Sequence, residues 1–412
     1  MKKCPARQTT EGVAIYLPSE SHFGFTLITQ FSSKTIRLIN MQGDAIKEWQ
    51  TDYLPVEAKL IDNGNLLVTG KDETGPLASF EGASGIIQEL DPDGNVVWEH
   101  KDQYMHHRAD RLENGNTLIL KWVEVPAELA AKVAGGFTRE GADGKMWGDA
   151  VVEIDKGGKT VWEWNSHDHL DPETDDICPL CSTTEWGHAT CVQAVGEDKI
   201  FINFMRISEV ALIDKKTGEF DWKWGTKIHE GEKVNEINHQ TYATMLEDNS
   251  VAIFDNGRHL RGEALNYSRA IVVDPKTGKI LSGYEEDPPS FLFSSFLGNT
   301  QKLDNGGTLV VEGTRGHIME LNYRNSVVWE YVTPDWGTDP IYGENNWIIS
   351  AYRYSLNEDC LKKCLGVTST WRTWLDVAKV SYLVDREEES EPVQPQMSQA
   401  DMVRNRLENL GY

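Results

Sequence analysis

Two apolar-polar patterns alternate along this chain, both with the two-residue period of strands half buried in a sheet. The first is a pair of apolar runs flanking an Asn-Gly-like turn, as in "LENGNTLIL", and it recurs near residues 64, 115, 197, 249 and 306. The second is a strand ending in an acidic residue, a Gly or Asn turn, then a strand carrying Trp-Glu or Trp-x-Trp, as in "LDPDGNVVWEH". Its turns fall at Gly43, Gly94, Gly158, Gly218, Gly278 and Asn325. Two hairpins per period make a four-stranded antiparallel sheet, and an array of such sheets without intervening helices is the pattern of a β-propeller. The expectation is an all-β chain of six blades at about 22–50, 56–100, 106–165, 188–225, 239–285 and 294–333.

The first blade shows one clear hairpin, so residues after 345 are expected to supply or cover a strand and close the ring, which removes exposed edges. The predicted parts are an N-terminal segment (1–21), the propeller bearing the site (22–384), and an acidic linker with a C-terminal helix (385–412). That helix spans Ser398 to Leu410 with Ser398 as N-cap, and reads as a docking or homodimer helix or else as a disordered tail. Trp98, Trp162, Trp164, Trp222, Trp224 and Trp329 are expected to pack between blades. Asp91, Asp155, Asp214 and Asp274 are expected to serve their turns.

Aligned on the turns, three histidines occupy one position in three successive blades. His107, His188 and His239 precede Asn114-Gly115, Glu197-Asp198 and Asp248-Asn249 by seven, nine and nine residues. The innermost strand runs from one face down to the turn and the next strand returns, so residues equidistant from the turn are neighbours. Arg206 then sits beside His188 and Arg258 beside His239, with Ser294, Ser295 and Arg315 on the same face. The longest insertions fall there too. One, "WVEVPAELAAKVAGGFTREGADGKMWGD", has a short helix around 127–134; the other, 165–187, holds His167 and His169. Both read as a lid or wall around the mouth. Tyr104, Trp147, Trp186, Phe204 and Tyr242 are the candidate aromatic lining.

Charge narrows the partners. A net charge of −25 over 412 residues argues against nucleic acid or an anionic membrane surface, since both are bound by Lys and Arg. An anionic substrate must meet a local positive cluster. No apolar run is long enough for a signal peptide or a membrane insertion, so the expected compartment is the cytoplasm, or the periplasm or exterior if an export signal has been removed. Of six cysteines, Cys178 and Cys181 form a C-x-x-C. It reads as a disulfide or as free thiols; zinc is the weakest reading, because no second C-x-x-C lies at zinc-site distance.

The order and spacing of "EGVAIYLP", "INMQGDAIKEWQ", "MHHRADRLENGNTLIL", "WGHATC", "FMRISEVALIDKKTGEFDWKWG", "NHQTYATMLEDNSVAIFDNG", "SSFLGNTQKLDNGGTLVVEGTRGHIMEL" and "SAYRY" resemble the bacterial aryl-sulfate sulfotransferases, a family of six-bladed propellers. The resemblance implies transfer of a sulfuryl group from an aryl sulfate to a phenol, with no metal, no PAPS and no other cofactor. It implies His239 as the transiently sulfated nucleophile, His188 and Arg206 as ligands of the sulfuryl group, and His107 with His106 completing the site. Thr190 stands where many relatives carry Asn, and "NHQTY" departs from the usual surroundings of the nucleophile. The chemistry is sound, since a sulfate monoester carries one negative charge and its transfer can run on Arg and imidazole in place of a divalent ion. The competing readings are a propeller polysaccharide lyase using His188, Tyr242 and Arg206, a His-ligated metal site, and a non-catalytic scaffold.

Overall fold

The computed structural model describes residues 10–138, 144–229, 232–260 and 265–367. Six antiparallel sheets form the blades of a propeller. Their innermost strands are Ile348–Ser355, Pro55–Leu60, Met105–Arg111, Ala189–Val195, Tyr242–Met245 and Thr300–Lys302, in blades one to six. The ring closes as expected. Ile348–Ser355 pairs with Gly24–Gln30, Gly24 opposite Ser355 and Ile28 opposite Ala351, so the first blade takes its inner strand from the far end of the propeller.

A second closure was not anticipated. Gly12–Tyr16 adds a fifth, outermost strand to blade six, against Val327–Val332, so part of the expected N-terminal segment belongs to a sheet. The expected helix at 398–410 lies outside the described residues. No helix among the described residues is long and apolar enough to cross a membrane.

The repeated tryptophans latch neighbouring blades. Trp49 donates to the carbonyl of Asp91, Trp98 to Lys156, Trp162 to Lys215, Trp164 to Gly218 and Trp329 to Met41. Each indole thus spends its one donor on a backbone carbonyl around the next blade's outer turn, with the rings of Trp49, Trp164 and Trp329 buried and those of Trp98 and Trp162 half-buried. The turn aspartates act locally: Asp91 accepts from the amides of Asp93 and Asn95, and Asp155 from Gly157 and Lys159.

The two insertions meet. Gly135–Phe137 from the first pairs in parallel with Ile177–Ser182 from the second, and the helix in the first is shorter than expected, Ala127–Ala130. Among the described residues, neither insertion lines the cavity at the mouth; a hairpin of Gly337–Asp339 and Gly343–Asn345 does, with no counterpart in the repeat, and was not expected.

Candidate active site

His107, His188 and His239 share a backbone conformation that side chains rarely adopt, with φ of 51°, 57° and 55°. Left-handed backbone at a non-glycine residue costs on the order of 1–3 kcal/mol and survives where the surroundings enforce it. The equivalence read from the turns is therefore a structural one. The strand-pairing argument holds as well, since the Arg206 amide donates to the Gly187 carbonyl and the Met205 amide to the His188 carbonyl. In blade five the bond to the Asn238 carbonyl comes from Gly257, which places Arg258 one residue past the position of Arg206.

Glu185 organises the fourth blade's contribution. Its Oε2 accepts from His188 Nδ1 at 2.6 Å and from Trp122 Nε1 at 3.2 Å, and its Oε1 accepts from Arg206 Nη2 at 2.8 Å. Arg206 Nη1 also donates to the Ser182 carbonyl at 2.8 Å. Burial alone would raise the Glu185 carboxyl, but His188 and Arg206 outweigh it and hold the group at about 2. The result is a charged carboxylate facing two basic groups, with His188 Nε2 left unpartnered.

His107 stands against His188, ring centres 4.8 Å apart and nearly perpendicular, and its Nδ1 lies 3.0 Å from Nδ1 of His106. Burial, followed by the charge of His188, keeps both rings of this pair uncharged: His107 is well below its ordinary value and His106 is lowered to about 3. Asp149, 3.5 Å from His106 Nε2, is pushed up by burial to about 7.

A cavity of about 250 Å³ opens at this mouth of the axis. His107, Arg108, His188 and Thr190 line one side of it; Phe31, Phe80, Phe296 and Tyr342 line others. Arg108 was not singled out from the sequence, although it follows the two histidines directly. Its guanidinium bonds Glu57 at 2.6 Å and the carbonyls of Thr241 and Thr190 at 2.8 and 3.2 Å, tying four blades together at the axis.

Several expected lining residues lie elsewhere. Trp186 and Phe204 are wholly buried in the core between blades three and four, and Trp186 donates to the Asp175 carbonyl, so neither can form a substrate wall. Tyr104 stacks on Trp147 away from the cavity, and Tyr242 packs on the Arg108 guanidinium, 5.1 Å from ring centre to carbon. Arg315 is exposed and paired with Glu312; Ser295 and Arg258 do not line the cavity. The actual aromatic wall comes from loops within blades one and two (Phe31, Phe80), the loop between blades five and six (Phe296) and the hairpin, and Tyr342, Trp347, Phe31 and Phe296 form one ring cluster.

Of the two readings of Cys178 and Cys181, disulfide or free thiols, the structure has the free thiols. They turn instead to two imidazoles. Cys181 Sγ lies 3.2 Å from His239 Nε2, and Cys178 Sγ lies 3.5 Å from Nδ1 of His259. His239 therefore faces the thiols, and it does not line the cavity.

Residues 99–341 match the family described as Arylsulfotransferase (ASST). No curated protein matches the chain. Among solved structures, the chain is similar to a protein of unknown function from Bacteroides caccae at 11% identity and a TM-score of 0.48, over 80% of this chain and 98% of that one. It is also similar to virginiamycin B lyase from Staphylococcus aureus at 12% identity and a TM-score of 0.39, over 74% and 84%.

Proposed function

Because the chain belongs to the arylsulfotransferase family, we propose that it moves a sulfuryl group from an aryl sulfate ester to a phenolic acceptor through a sulfated histidine, and that His188 is the attacking group. The observation that carries this reading is the buried Glu185 bridge: His188 Nδ1 is committed to a carboxylate while Nε2 is unpartnered at a cavity walled by aromatic rings. Attack requires the neutral ring with its proton on Nδ1, the tautomer that the Glu185 bond favours and that presents a lone pair at Nε2. The carboxylate then offsets the positive charge that develops as the N–S bond forms and the S–O bond to the aryl group breaks.

The resemblance in sequence pointed to His239 for this step. Its Nε2 lies against the Cys181 sulfur and its ring is off the cavity wall, which favours His188. Arg108, on the cavity wall, supplies positive charge to the sulfuryl oxygens, while Arg206, which like His239 is off that wall, holds Glu185 in place behind His188. His107, on the cavity wall with its ring centre 4.8 Å from that of His188, stands where an acceptor phenol must approach the sulfated ring. Phe31, Phe80, Phe296 and Tyr342 give an aryl group its apolar walls.

The test is phenol release from an aryl sulfate with and without a phenolic acceptor. Acceptor-dependent release with the sulfate recovered on the acceptor supports the reading. Cleavage of uronate polymers, with no action on aryl sulfates, would replace it with the lyase reading.

A further inference from the structure

We propose that Cys178, Cys181, His239 and His259 bind a thiophilic divalent cation, zinc as the reference ion, and that this ion pins the segment Ile177–Ser182 to the inner end of blade five. The proposal does not rest on the sulfuryl-transfer reading.

The geometry is that of a ligand shell. One donor atom from each of the four residues lies within 4.8 Å of all the others, with sulfur-to-nitrogen separations of 3.2, 3.5 and 3.9 Å. Zinc bonds of ~2.3 Å to sulfur and ~2.0 Å to nitrogen at tetrahedral angles put such edges at about 3.5 Å. The two imidazoles are 4.7 Å apart and inclined at 76°, so they converge on a point without stacking on each other. Two thiols and two imidazoles are a soft donor set that disfavours magnesium and calcium. Four protein ligands leave no open position, which makes the ion a clamp rather than a Lewis acid.

The cluster spans elements that nothing in the blade pattern requires to meet. Both cysteines lie on Ile177–Ser182, in the connection between blades three and four, while His239 and His259 flank the first two strands of blade five. His239 and His259 both hold left-handed backbone, φ 55° and 62°, a conformation that needs an external constraint. The clamped segment also holds the guanidinium of Arg206 through the Ser182 carbonyl, and its Cys178 amide donates to the Arg206 carbonyl at 3.2 Å. An ion here would fix this connection and Arg206 together.

The test uses the full chain, purified reduced, stripped with a chelator and titrated with Co²⁺ and then Zn²⁺. One equivalent of cobalt should give thiolate-to-metal charge transfer with tetrahedral ligand-field bands, and zinc should displace it. Zinc should also raise the melting temperature of the stripped protein. Cys178→Ser and His259→Ala should each weaken zinc binding by at least ~100-fold, beyond the loss from a supporting residue, whereas Cys360→Ser should leave the cobalt spectrum unchanged. Absence of thiolate charge transfer in the reduced, unmodified protein would overturn the proposal, as would isolation of a metal-free Cys178–Cys181 disulfide. Because these readouts need no aryl sulfate, they stand whether or not transfer is observed.

Discussion

His188 and Glu185, three residues apart, meet in a 2.6 Å hydrogen bond that is almost completely buried. The same carboxylate holds Arg206, so a single group sets the ring orientation of one site residue and the fork direction of another. Glu185→Gln keeps the shape and removes the charge. The expected outcome is a fall in kcat/KM on the order of 10²-fold, with a lower melting temperature at pH 7 because His188 and Arg206 lose their buried counter-charge, checked by steady-state kinetics and calorimetry.

The pH dependence of that pair has a definite sign. Glu185 in the fold titrates at about 2 against an ordinary value of 4.5, so its stabilising contribution is present above pH 4.5 and is lost as pH falls towards 2. The parent should lose melting temperature across that window more steeply than Glu185→Gln. Parallel curves would mean that the carboxylate carries no net stabilisation.

Asp149 has the opposite sign. Burial lifts it from 3.8 to about 7, so the folded protein holds a proton that the unfolded chain releases, and stability falls as pH rises from about 3.8 to 7. Its Oδ1 accepts from the Ala189 amide, a bond that an asparagine carbonyl can also accept. Asp149→Asn should therefore gain on the parent as pH rises, with a larger melting-temperature advantage at pH 8 than at pH 5.

Arg206 separates charge from geometry. Its two terminal nitrogens reach Glu185 and the Ser182 carbonyl at once, which a lysine on its flexible stem cannot reproduce. Arg206→Lys should retain donor binding but lose rate on the order of 10²-fold, and Arg206→Ala should lose both. A lysine variant at the parent rate would mean that the forked grip on Glu185 and the Ser182 carbonyl contributes nothing to the rate.

The aromatic residues divide by burial. Trp186→Ala should cost ~3–5 kcal/mol of stability as a core truncation, since the ring is fully buried. Phe296→Ala, at the cavity, should raise KM for aryl donors with little effect on melting. This contrast follows from what the sequence could and could not convey. Turn spacing carries the blades, the equivalence of His107, His188 and His239, and the neighbourhood of His188 and Arg206, because all of these are fixed by strand register. It does not carry loop destinations. Phe31, Phe296 and Tyr342 lie outside the strands, and Trp186 beside a site histidine looks like a wall until its ring is seen to turn into the core. Glu185 had a faint signal, an acid three residues before His188 in "TEWGHATC". The pairing of Cys178 and Cys181 with His239 and His259 had none, since residues so far apart in sequence meet only through the connection between blades three and four.

The central claim is the identity of the sulfated residue. The direct measurement is mass spectrometry of the protein after brief exposure to an aryl sulfate without acceptor, quenched under alkaline conditions that preserve a phosphoramidate-like N–S bond. The account predicts an added sulfuryl group on the peptide containing His188, absent from His188→Ala. The same group on the peptide containing His239, retained in His188→Ala, would contradict it.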